Sequence, residues 1–121
     1  MAIEAAHLAD SKKATDIRVV EVTEQFGIAD YFVMVTANSR PQSKAIYNEI
    51  HMSLKERGMQ HRPVEGAELG WWVLLDYGAV VVHIMQSEAR EYYELDRLYS
   101  DSPEVDWQSA ARTDSSSAET A

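Results

Sequence analysis

The chain has 121 residues, with 20 acidic against 11 basic side chains, a formal net charge of -9 and no cysteine. This length makes one domain around one core, and the missing cysteines exclude a disulfide framework and any thiolate metal site. The acidity argues against a broad direct grip on RNA or DNA, because nucleic-acid binders concentrate Lys and Arg to neutralise phosphates.

An acidic protein can still work beside RNA by docking on a basic protein, and its field speeds that encounter. No apolar run approaches the roughly 20 residues that a spanning helix needs. The opening Met1-Ala2-Ile3-Glu4 lacks the basic and then long apolar pattern of a secretory leader. A cytoplasmic address without membrane attachment is therefore expected.

Residues 3–14 carry Ile3, Ala6 and Leu8 among other alanines and form a weakly patterned helix. Ile17 to Val22 is short and β-branched, a first strand, and Thr23 to Ala29 is a connection. Tyr31 to Val35 is a continuous apolar run of strand length, which predicts a strand covered on both faces. Ser39 with Gln42 makes a capping box, while Pro41 prefers the first helical position and would move the cap to Arg40. The helix that follows carries Ile46, Ile50 and Leu54 in one stripe, with Ala45 and Tyr47 alongside. Lys55 and Arg57 suit the negative end of its dipole, and Gly58 supplies a left-handed stop.

A polar connection through Pro63 and Gly66, with a short strand possible near His61, leads to Trp71 to Leu75. After Asp76-Tyr77-Gly78 comes Ala79 to Met85, so the two runs read as a β-hairpin. Ser87 starts a last helix with Glu88 and Glu91 in its first turn and a stripe of Tyr92, Leu95 and Leu98 or Tyr99. Residues 109–121 offer nothing a core could use and are expected to be a disordered tail after a domain of residues 1–108. Strands met by both hairpins and helices imply an α/β (α+β) fold with a mixed sheet of about five strands.

The sequence holds no catalytic constellation. His7, His51, His61 and His83 form no HxxxH or HExxH pair. His83, inside a run of valines, reads as a hydrogen-bonded core or face histidine, and His51 and His61 straddle the stop at Gly58. There is no GxSxG elbow and no Gly-rich phosphate cradle. Asp101, Glu104 and Asp106 read as a solvated acidic face, and Asp30 and Asp76 as turn residues bordering strands. No metal and no cofactor is expected.

The feature left over is apolar. Alternation from Trp71 to Tyr77 puts Trp72, Leu74 and Asp76 on one face and Trp71, Val73, Leu75 and Tyr77 on the other. A small domain seldom has two thick layers to bury both faces, so one face is expected to meet a partner. Core burial of both tryptophans is the competing reading.

The first half carries Asp16-Ile17, Ala29 to Val35, and Asn38-Ser39 with Gln42 to Ile46. The second half carries Glu65-Gly66, Gly70 to Gly78, Val80 to Ile84 and Arg90 to Leu98. Each piece alone is weak, but together, in this order and spacing over roughly residues 3–102, they resemble the RsfS/Iojap family of ribosomal silencing factors.

The resemblance implies a nucleotidyltransferase-like superfamily fold without that superfamily's Gly-Ser and Asp-x-Asp active-site pattern, which this chain also lacks. It implies binding to the fourteenth protein of the large ribosomal subunit and a steric block to small-subunit joining when nutrients are short. It also implies a homodimer off the ribosome. Carried over by position, Trp72, Leu74 and Asp76 match the strand motif that lies against the ribosomal protein, and Glu88 would meet its basic residues. That leaves Trp71 inward, where truncation would cost roughly 3–5 kcal/mol of stability.

The chain departs from the family at Ala37, where Gly is usual, and at Ala79, where an acidic residue is usual; Pro41 is unusual and Tyr99 replaces a common Trp. The alternative function is a degenerate nucleotidyltransferase acting on nucleotides or tRNA, for which no converging carboxylates are in view.

Overall fold

The computed structural model describes residues 1–22, 29–64, 71–94, 97 and 100–109. Its elements run α1 (Ala2–Ser11), β1 (Thr15–Glu21), β2 (Tyr31–Ala37), α2 (Arg40–Glu56), β3 (Trp72–Asp76), β4 (Val80–Gln86), α3 (Ser87–Tyr93) and β5 (Glu104–Val105). Residues 23–28 of the expected 23–29 connection, Gly66, the helical positions Leu95, Leu98 and Tyr99, and the tail beyond Ser109 lie outside the described residues. Among the described residues, no helix is long and apolar enough to cross a membrane.

The strands form one mixed sheet in the order β3-β4-β2-β1-β5. Strands β2 and β4 pair in parallel, and every other neighbour is antiparallel. The five-stranded mixed α+β fold expected from the sequence is thus the observed one, with one strand exchanged. Among the described residues no strand forms near His61, where the Arg62 N–H donates to the Asp76 carbonyl at 2.8 Å. Pro63 has no amide to extend that ladder. The fifth strand is β5, inside the segment read as a solvated acidic face, where Arg18 pairs with Glu104 at 3.3 Å.

Helices α1 and α2 cover one face of the sheet. Ile46, Ile50 and Leu54 are fully buried there against Val33, Val35, Val73, Leu75, Val82 and Ile84. The predicted stripe holds except that Ala45 is exposed and Ser43 takes the buried place. Ala5, Ala6 and Ala9 are fully buried, and their small side chains let α1 lie close to the sheet. Glu4 reaches from α1 to an ion pair with Arg57 just past the end of α2.

The caps are legible at both ends of α2. Ser39 Oγ accepts the Gln42 N–H at 3.1 Å, so the cap stays at Ser39 and does not move to Arg40. Pro41 is tolerated at the second helical position because its missing N–H would have had no intrahelical partner. The Gln42 side chain accepts from Asn38 N–H at 2.5 Å and donates to the Lys12 and Lys13 carbonyls, which ties α1 to the start of α2. Gly58 stops the chain at φ +84.

The second sheet face is covered less completely. Val20, Phe32, Met34 and Met85 cluster there with Val22, Ala29 and Ala89 of α3, and Trp72 and Val81 are only partly buried beside them. Strand β2 is therefore apolar on both sides, as its continuous run predicted. At the far edge Trp107 is buried, its indole N–H donating to the Ile17 carbonyl at 3.1 Å and its ring meeting His7 edge-on.

Candidate partner-binding face

Strand β3 is an edge strand, joined to β4 by the turn at Asp76-Tyr77-Gly78. Gly78 takes φ +89, which a side chain rarely tolerates, and its N–H donates to Asp76 Oδ1 at 2.8 Å. The turn fixes the register, with Trp72 opposite Met85, Leu74 opposite His83 and Asp76 opposite Val81. Val73 and Leu75 go under the helices at 1% and 0% exposure. Trp72, Leu74 and Asp76 share the opposite, thinly covered face and all remain partly exposed. Over four steps of about 3.3 Å, the three side chains span roughly 13 Å.

Trp71 corrects the expectation that it lies inward. It precedes the strand, is 38% exposed, and approaches Tyr92 at a ring-centre distance of 6.5 Å. Trp71 sits just before β3: its carbonyl still accepts the Gln86 N–H at 2.9 Å, but the residue itself has left the strand, so alternation no longer fixes its side chain, which meets Tyr92 of α3. Tyr77, also placed inward, is partly buried; its hydroxyl has no hydrogen-bond partner among the described residues, and burial pushes its pKa up to about 12.

Glu88 is exposed in the first turn of α3, just after the β4 end that pairs with Trp72. Asp76 closes the opposite end of β3, so the two carboxylates flank the Trp72–Leu74 stretch without touching each other. Asp76 is not a bare charge: Arg62 Nε lies 3.5 Å from its Oδ2.

Behind this face lies His83. Its ring is buried against Phe32, at 4.7 Å between centres, and its Nδ1 accepts the Trp72 indole N–H at 3.2 Å. Burial pushes its pKa down to about 4. The sequence reading of a hydrogen-bonded face histidine fits, although the bond to Trp72 was not anticipated. His51 and His61, read as separated by the helix stop, meet at 2.8 Å between Nδ1 and Nε2. The left-handed turn at Gly58 folds the chain back over α2, and that signal was available. Burial and the neighbouring His61 and Lys55 push the His51 pKa down. Among the described residues, no three His, Asp or Glu side chains gather as a metal site.

A family model described as "Ribosomal silencing factor during starvation" matches residues 1–121. The chain belongs to the RsfS family. It is 39% identical over 102 residues to the ribosomal silencing factor RsfS of Bacillus subtilis, covering 84% of this chain and 86% of that protein. It is 32% identical to the mouse protein named for mitochondrial assembly of the ribosomal large subunit, over 74% of this chain and 40% of that longer protein. The crystal structure of a Chromobacterium violaceum protein superimposes with a TM-score of 0.77 at 33% identity, covering 80% of this chain and 81% of that one. RsfS membership and the mixed-sheet fold therefore agree with the resemblance drawn from the sequence.

Proposed function

We propose that this chain is a non-enzymatic silencing factor that docks the Trp72–Leu74–Asp76 face on the fourteenth protein of the large ribosomal subunit. Occupying that surface blocks joining of the small subunit and represses translation when nutrients are limiting. The observation that carries the reading is the family match over residues 1–121. The face supports it: an aromatic and an aliphatic side chain stand partly exposed between Asp76 and Glu88. Interfaces commonly set an apolar centre within a polar rim, and Trp is enriched among their hot spots. The net charge of -9 would steer the chain toward a basic ribosomal protein. Off the ribosome the chain forms a homodimer.

Two carboxylates weighed for an enzyme reading have structural partners: Asp76 holds the Gly78 turn and Arg62, and Glu104 holds Arg18. Sedimentation of the chain with isolated large subunits, followed by cross-linking, tests the proposal. The expected result is co-sedimentation with the large subunit and cross-links to its fourteenth protein. Turnover of a nucleotide or tRNA that depends on Asp30 or Asp76 would instead establish the nucleotidyltransferase-like alternative.

A further inference from the structure

The Trp72–His83 contact constrains more than packing. An indole N–H can only donate, so the His83 Nδ1 that accepts it at 3.2 Å carries no proton, and the neutral ring's proton sits on Nε2. That Nε2 is buried and finds no acceptor among the described residues. An orphaned buried donor is unfavourable, and an apolar side chain against Phe32 would carry none. What the imidazole supplies, and a hydrocarbon cannot, is an acceptor aimed at Trp72.

We infer that His83 is a positioning residue that holds the Trp72 indole in one orientation on the sheet face before a partner arrives. The inference rests on the proposed partner face. Trp72 pairs in register with Met85 and reaches His83 diagonally, so the bond pulls the indole along the strand toward Leu74. An indole fixed in this way loses less side-chain freedom on docking, and the chain presents Trp72 and Leu74 as one preformed surface.

The test uses the full chain with His83→Leu, which removes the acceptor, and His83→Asn, whose Oδ1 restores one near the Nδ1 position. Affinity for isolated large subunits, thermal melts, and exchange of the Trp72 indole proton by nitrogen-15 NMR are measured together. The indole signal is assigned by its loss in Trp72→Phe. His83→Leu is expected to weaken binding about three- to tenfold, to speed indole exchange, and to leave the melt unlowered. His83→Asn is expected to recover most of the affinity and the protected indole, which a purely structural role would not produce.

If Trp72→Ala loses binding while His83→Leu keeps it, positioning by His83 is wrong and the partner face stands. If Trp72→Ala itself binds normally, the partner-face reading fails and takes this inference with it. Should His83→Leu melt too early to assay, the wild-type indole decides: protected exchange supports the bond, and exchange as fast as that of the same indole in the urea-unfolded chain overturns it.

Discussion

Arg62 meets Asp76 twice: its backbone N–H donates to the Asp76 carbonyl at 2.8 Å, and its Nε lies 3.5 Å from Oδ2. The Arg62 side chain is 75% exposed, so it is a lid on the carboxylate and not part of the core. A basic partner must compete with it for Asp76. Removing it should therefore help binding, against the usual effect of deleting an ion pair.

Arg62→Ala is expected to raise affinity for large subunits roughly two- to threefold at low salt, with stability changed by no more than about 1 kcal/mol. The gain should shrink as salt rises. Asp76→Asn keeps an acceptor for Gly78 N–H but loses the charge, and should weaken binding with the same salt dependence. Salt titrations of both variants check this, and equal losses for both at every ionic strength would contradict it.

Trp71 and Trp107 should differ in their cost to stability, against the sequence expectation that Trp71 lies inward. Trp71 is 38% exposed and stands before the strand, so Trp71→Ala is expected to cost about 1 kcal/mol or less in a urea melt. Trp107, at 9% exposure and bonded to Ile17, should cost roughly 3–5 kcal/mol when truncated to Ala.

Residues 110–121 include no aromatic and no Leu, Ile or Val. We propose that their deletion leaves both the melt and ribosome binding nearly unchanged. A melt lowered as far as that of Trp107→Ala, or a large loss of binding, would show that the segment contributes.

His83 makes stability pH-dependent. The imidazole titrates near 6.5 in the unfolded chain and is pushed down to about 4 in the fold by burial. Between those values the unfolded chain takes up a proton that the folded chain refuses, so stability is full above about 6.5 and falls as pH drops toward 4. From pH 7 to pH 5 the loss assigned to this group is on the order of 2 kcal/mol. His83→Asn should flatten the profile by that amount, measured as urea unfolding at several pH values. Parallel profiles for the two proteins would assign the acid sensitivity elsewhere.

Much of the fold was legible because local rules and global packing agree. The Ser39 cap, the stripe of Ile46, Ile50 and Leu54, the stop at Gly58 and the hairpin turn at Gly78 are each set by chemistry within a few residues. What was missed depends on contacts distant in sequence. Glu104–Val105 is too short to read as a strand, and only its pairing with Val19 and Val20 makes it one. The meeting of His51 with His61 and the bond from Trp72 to His83 likewise need the folded chain. Within the candidate face, alternation placed Trp72, Leu74 and Asp76 together, but it could not show that Arg62 already contacts Asp76.

The most direct test of the partner face is titration of isolated large subunits with wild-type chain and with Trp72→Ala, alongside a subunit-joining assay. Truncation of a central aromatic hot spot costs about 2 kcal/mol or more, so Trp72→Ala should bind about thirtyfold more weakly. It should permit joining at concentrations where the wild type prevents it, with a melt that shows the variant still folded. Wild-type affinity and full blockade by a folded Trp72→Ala would place the docking surface away from β3 and contradict the account.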